Sequence, residues 1–446
     1  MGDPHGSCPQ LPGTRHPAPS RVVGQHAPKR ASLLVASAHP CGVARPLHCR
    51  HRARLQPRRQ RPPRRARPAL VTAHSRRRTM NPKRYDGYTS YQYLVPGEDF
   101  PDIELDVQID RVASTRVPTS DQEEARVARL MTENLVISLH DHCFVAPKDL
   151  SRFLEFRRYG RDHTGYEGLA QSGLDAVFDA MMDGTAMITS RAGWKWDDVI
   201  FDIGMRLSDI AHQDMVNLAL TANDIRRAKA DGTIAFIVSL EGAAMIETEV
   251  DRIDVLYGLG MRSLGIAYSE GNALGAGLKE PATYGLTAFG HKAVRRMNQL
   301  GVAIDISHAN DQTSLDTIQA SKDPIFITHA GARALWDTPR LKPDEVIRAC
   351  AEKGGVIGIE AAPHTTITQA NPRHSIDSFM EHFEYCVDLV GIDHVAFGPD
   401  VLFGDHVGLH HALRDALSLS ASKGTTAYPE IPFVDGIENP AEAFPN

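Results

Sequence analysis

The stretch Val136-Ile-Ser-Leu-His140-Asp-His142 decides the reading of this 446-residue chain. It is the first short apolar run after a helix start at Ser120-Asp-Gln-Glu123, a capping box followed by apolar Ala125, Val127, Leu130 and Met131. The run ends on two histidines two positions apart, where a nucleotide-binding open sheet would carry a glycine-rich phosphate turn. Similar runs recur at Ala186–Ser190, Ile234–Leu240, Leu264–Ala267, Val302–Ile306, Ile325–Thr328, Val356–Ile359 and Val395–Gly398, making eight with the first, Val136–His140. Helix-like segments separate most of them. Thr287–Leu300 is the clearest: Phe289, Ala293, Val294, Met297 and Leu300 fall on one face, and Gly301 stops it. Strands this apolar are buried on both faces, which predicts a parallel sheet. Eight βα units close into a (β/α)8 TIM-type barrel of about 250 residues or more. A doubly wound open sheet is the competing arrangement.

The composition divides the chain into unlike pieces. Residues 1–79 hold 17 Lys and Arg against the single acid Asp3, a net of +16, whereas the rest is acidic at −22. The head is rich in Pro and Arg, with six arginines in Arg58–Arg67, and lacks hydrophobic periodicity. It reads as a disordered basic extension, either without a role or serving as an anion-binding arm or transit peptide. Met80 is a plausible start for the mature protein. Residues 80–119 form an irregular lead, and 120–446 form the barrel. The acidic body argues against wrapping nucleic acid. No stretch approaches the roughly 20 apolar residues of a membrane span. Six cysteines, three in the head and three far apart in the body, show no CxxC spacing, which points to a reducing, cytoplasmic compartment.

The chemistry gathers where the apolar runs end. The first ends in His140-Asp-His142, the third in Glu241, the fifth in Asp305-Ile-Ser-His308, the sixth in Thr328-His329 and the eighth in Phe397-Gly-Pro-Asp400. In a barrel these ends share one rim, the rim on which barrel enzymes build their active sites. Residues i and i+2 of a strand face the same way, so His140 and His142 can grip one ion. Four imidazoles with one or two carboxylates suit zinc or another divalent metal, and this many ligands suggests two ions bridged by Glu241. Asp400 could shuttle the proton of an attacking water. His394 precedes its strand and belongs to the opposite rim, and His291 lies on a helix. His364, His406, His410 and His411 follow strands on the active rim. Cys143, with no partner base, reads as a packing thiol.

From Thr119 to Asn446 the chain resembles the renal (membrane) dipeptidase family of metal-dependent amidohydrolases. The resemblance is carried by Val238–Gly242, Gly258–Arg262, Leu286–Gly290 with Met297–Gly301, Asp305–His308, Thr328–Arg333, Gly391–His394 and Val434–Pro440. It implies a barrel that holds two zinc ions and cleaves dipeptides, often with a D-residue in second position, and that commonly dimerises. By position it implies His140 and His142 on the first zinc, Glu241 as bridge, and His308 with His329 on the second. It further implies Asp400 as general acid/base and Arg340 as the partner of the substrate carboxylate, a match of guanidinium fork to carboxylate.

The chain also departs from that family. His142 stands where the family has aspartate. Tyr268 replaces a histidine after the fourth run that helps stabilise the tetrahedral intermediate; a phenol can donate to an oxyanion but carries no positive charge. Glu360-Ala-Ala362 replaces the aromatic that often follows the seventh run, and the chain stops soon after the Glu-Asn-Pro motif, as a C-terminal truncation would. The expected activity is therefore binuclear zinc-dependent hydrolysis of dipeptides. The alternatives are hydrolysis of another small amide, such as an N-acyl amino acid or lactam, and a non-catalytic protein with an anion-binding head.

Overall fold

The computed structural model describes residues 83–109, 111, 119–158, 161–181, 195–362, 365–372 and 374–412. The basic head, the expected strand at Ala186–Ser190, His364 and the Val434–Pro440 motif lie outside the described residues, as does the side chain of His411.

Ser120 caps the first helix, α1 (Asp121–Glu133), with the reciprocal Glu123 bond expected of a capping box. Its apolar positions do not enter the core: Val127 and Leu130 are exposed. The chain then enters β1 (Ile137–Val145), whose residues after the first are all buried. Short helices α2 (Phe153–Arg158) and α3 (Tyr166–Ser172) lead to β2 (Ala176–Met181). This strand was not foreseen, because Asp179 interrupts its apolar run. Asp179 is nonetheless buried, accepting from the Cys143 amide at 2.7 Å and lying 3.5 Å from Arg206 on α4 (Trp196–Ile210).

A short strand, β3 (Val216–Leu218), and helix α5 (Ala222–Asp231) precede β4 (Ile234–Leu240), which is buried at every residue. There follow α6 (Arg252–Gly258), β5 (Met261–Gly265), α7 (Ala288–Leu300), β6 (Ala303–Asp305), α8 (Asp311–Ala320) and β7 (Phe326–Ala330). Next come α9 (Asp344–Glu352), β8 (Val356–Ile359), α10 (Ile376–Val390), β9 (Val395–Phe397), β10 (Leu402–Phe403) and α11 (His406–Ala412). Helix α7 has the anticipated caps and face: Thr287 accepts from the Gly290 amide, Gly301 turns left-handed, and Ala293, Val294 and Met297 are buried.

The strand order is β10-β1-β2-β4-β5-β6-β7-β8-β9, and each pairing is parallel. The short β3 pairs beside the start of β4, off the main path. The ring closes because the chain leaving β9 runs straight onto β1. The Asp400 amide donates to the His140 carbonyl at 3.0 Å, the His142 amide donates to the Val401 carbonyl at 2.8 Å, and β10 continues the ladder. This is the parallel (β/α) barrel expected from the sequence, with β1, β2 and β4–β9 as its eight staves and its core among them. Two rim glycines admit close backbone approach: a Cβ on Gly265 would meet the Glu241 carbonyl at 2.1 Å, and one on Gly398 the Thr328 carbonyl at 2.0 Å. No helix among the described residues is long and apolar enough to cross a membrane.

The irregular lead is tied to the barrel through one buried carboxylate. Asp209, at the end of α4, accepts from Tyr88 Oη (2.8 Å), Ser90 Oγ (2.6 Å), the Tyr91 amide (2.8 Å) and Tyr166 Oη (3.0 Å). Three of these four donors come from the lead. Lys83 adds a buried ion pair to Asp175 at 2.7 Å. Removing a buried acceptor strands its donors, so Asp209→Ala should lower unfolding stability by about 3 kcal/mol or more in urea titrations. A loss under about 1 kcal/mol would contradict this anchoring role.

Candidate active site

Six side chains foreseen from the sequence converge on the C-terminal rim: His140 and His142 of β1, Glu241 after β4, His308 after β6, His329 of β7 and Asp400 after β9. All are buried except Asp400, which is partly so. Glu241 Oε1 lies at the centre, 3.0 Å from His308 Nε2, 3.3 Å from His329 Nε2 and 3.7 Å from His140 Nε2. Asp400 Oδ1 lies 2.9 Å from His142 Nε2 and 3.3 Å from His140 Nε2. The His140 and His329 rings stack at 3.5 Å between centroids. Asp400 adopts φ 62°, a left-handed conformation that costs a non-glycine residue energy and that clusters at functional sites. Its amide bond to β1 holds it there.

Neighbouring hydrogen bonds fix the Nδ1 proton of two of the rings. His142 Nδ1 lies 2.8 Å from the Ala180 carbonyl, which can only accept, so Nδ1 carries the proton and Nε2 turns to the site. Thr328 Oγ1 donates to Asp305 Oδ2 at 2.8 Å and so accepts from His329 Nδ1 at 2.9 Å. His329 Nε2 is then an unprotonated lone pair. Asp305 is braced in turn by the Ser307 hydroxyl at 2.6 Å and by the amides of Ser307 and Thr328 at 3.0 Å. Sequence reading missed this outer layer, although Asp305, Ser307 and Thr328 all stand inside the motifs it singled out.

Burial drives the electrostatics. It pushes His308 and His329 well below the usual imidazole range, leaving both neutral. Burial also lifts Glu241 to about 8. For His142 burial opposes the charge, but the Asp400 hydrogen bond and carboxylate outweigh it and raise the group to about 9. Burial likewise opposes charge on Asp400, yet the surrounding histidines, His329 first, hold its carboxyl well below the carboxylate range.

The donor set fits a divalent cation. His308 Nε2 and His329 Nε2, both on neutral rings, face each other at 2.9 Å, and the buried His140 Nε2 has no hydrogen-bond partner. Buried imidazole nitrogens crowded against a carboxylate, one of them without a hydrogen-bond partner, leave lone pairs that a cation can share. Ligand atoms of His140, Glu241, His329 and Asp400 all lie within 4.8 Å of one another, a cluster able to hold a metal ion. Imidazole and carboxylate donors suit zinc and its neighbours.

Tyr268 and Arg340 flank this cluster. The Tyr268 ring stacks on His308 at 4.1 Å, and burial keeps its phenol protonated, well above the usual range. Arg340 donates from Nη1 to the His329 carbonyl at 3.1 Å. Its loop is pinned by the Arg333–Asp311 fork at 2.6 and 2.8 Å and by Lys342 Nζ on the Ala309 carbonyl at 2.6 Å. Arg340 also touches the buried Glu360 carboxylate, which burial pushes above its ordinary range against the pull of the guanidinium. His394 bonds the Gly355 carbonyl at 2.8 Å, away from the cluster, and His291 is exposed. His406 is buried and stacks edge-on against His410. Cys143 is a buried free thiol.

Known proteins are similar to this chain in sequence and fold. An uncharacterized protein in the pqqA 5' region of Klebsiella pneumoniae is 32% identical over 221 residues, which span 47% of this chain and 80% of that protein. The dipeptidase tcpJ of Claviceps purpurea is 26% identical over 202 residues, and this chain spans only 47% of its length. Among solved structures, an amidohydrolase from Pseudomonas aeruginosa superposes with a TM-score of 0.55 at 25% identity, covering 71% of this chain and 89% of that one. Residues 124–419 match the membrane dipeptidase family, peptidase family M19, and the chain belongs to that family of metal-dependent hydrolases.

Proposed function

We propose that this chain hydrolyses the amide bond of small dipeptide-like substrates with two zinc ions bound on the barrel rim. The observation that carries this reading is the central place of Glu241 Oε1, within 3.7 Å of the Nε2 atoms of three histidines that come from different strands. In this reading His140 and His142 would hold one ion and His308 and His329 the other, with Glu241 supplying a carboxylate to both. A metal pair so held would acidify a water and polarise a carbonyl.

The protein's own groups do the rest. Asp400, fixed by its backbone bond to His140, has a carboxylate facing His142 and is placed to receive a proton from the attacking water and return it to the departing amine. Tyr268 remains a neutral phenol and donates a hydrogen bond where negative charge develops on the substrate oxygen. Arg340 and Glu360 border the site where the far end of a substrate would lie. Ala180 and Thr328 hold the His142 and His329 rings by their Nδ1 atoms, with Nε2 of each turned to the site.

Metal analysis of the purified chain should find about two equivalents of zinc. Glu241→Ala should reduce that to one or fewer. Full retention in the variant, or no uptake by wild type in excess zinc, would contradict the reading. Turnover of the best substrate in a panel of dipeptides and their C-terminal amides should fall about 10²–10³-fold in Tyr268→Phe, with zinc content unchanged. Activity within about twofold of wild type would remove Tyr268 from the chemistry.

A further inference from the structure

Arg340 and Glu360 reach the rim from neighbouring staves, the one on the loop after β7 and the other immediately after β8. The Glu360 side chain is fully buried and Arg340 is 8% exposed. Arg340 Nη2 and Glu360 Oε2 are in direct charge contact, without the alignment of a hydrogen bond. Glu360 is held in place from both ends: its amide donates to the Ala330 carbonyl at 2.9 Å, and its Oε1 accepts from the Thr365 hydroxyl. Arg340 Nη1 is spent on the His329 carbonyl at 3.1 Å. Both terminal nitrogens of the guanidinium thus lie against oxygens of the protein itself, Nη1 in a hydrogen bond and Nη2 in a charge contact.

The nearby cations offer no substitute. Lys342 Nζ is bound to the Ala309 carbonyl and, at 3.2 Å, to Ser314 Oγ, and Arg333 is forked onto Asp311. A substrate carboxylate approaching Arg340 would meet a buried like charge already at the guanidinium, a repulsion strengthened by the low local dielectric. A carboxamide meets the opposite situation, since its N–H groups can donate to Glu360.

We propose that Glu360 is a specificity-determining residue: it fills from within the chain the seat that Arg340 would otherwise offer a substrate carboxylate, so the preferred substrate is a dipeptide-like amide whose distal end is uncharged. The proposal rests on the reading of this rim as an amide-hydrolase site and narrows its substrate class.

The test is binding of two ketomethylene dipeptide isosteres, alike except that one ends in a free carboxylate and the other in a carboxamide, measured by calorimetry on the full zinc-supplemented chain. Wild type should bind the carboxamide at least about tenfold more tightly, because like-charge contact is costly. Glu360→Gln keeps the shape and removes the charge. It should gain about tenfold or more for the carboxylate probe and reverse the preference. A wild-type chain that binds the carboxylate probe as tightly as the carboxamide, or binds neither, overturns the proposal. So does a Glu360→Gln chain with an unchanged ratio. Should that variant not fold, the wild-type ratio decides alone. Because the probes are not cleaved, the predicted ratio without turnover of any amide would support the filled seat while refuting the hydrolase reading.

Discussion

The joint between the last and first staves of the barrel is the constraint from which the site follows. The chain leaving β9 lays the Asp400 amide on the His140 carbonyl and accepts the His142 amide on the Val401 carbonyl. Two backbone bonds therefore close the sheet and set the Asp400 carboxylate against the histidine pair of β1. The left-handed backbone at Asp400 is the local cost of that turn. Gly398 belongs to the same joint, since a side chain there would strike the Thr328 carbonyl. The bonds that close the fold are the bonds that place Asp400 in the site.

Around that joint the protein buries more charge and lone-pair density than it can satisfy by hydrogen bonding alone. Glu241 faces three imidazoles, two of them neutral rings with opposed nitrogens. Such an arrangement is costly in an empty core and favourable around cations. A few ångströms away the logic is reversed. Arg340 and Glu360 neutralise each other inside the protein, so this corner of the rim needs no external ion. One half of the site calls for a bound charge and the other half is already balanced.

Much of this was legible in the sequence, for physical reasons. Val356–Ile359 forms a strand with the bounds read from its apolar run, and α7 starts and stops at its caps. The metal-type residues were found because each stands at the end of such a run, and strand ends share a rim. The failures have causes as well. The second stave, Ala176–Met181, escaped notice because Asp179 breaks the apolar pattern while being buried against Arg206 and the Cys143 amide. The irregular lead gave no sign that Tyr88, Ser90 and Tyr91 share one carboxylate more than a hundred residues ahead. Glu360 was visible as a departure from the family, but its partnership with Arg340 depends on how two loops face one another across adjacent staves. No local spacing encodes that contact.

The central claim is a pair of metal ions shared through Glu241. X-ray absorption at the zinc edge of the loaded protein tests it most directly. The account predicts a first shell of nitrogen and oxygen only, with a metal–metal vector at about 3.5–4 Å. A shell containing sulfur, or a spectrum with no metal–metal scattering at full loading, would contradict it.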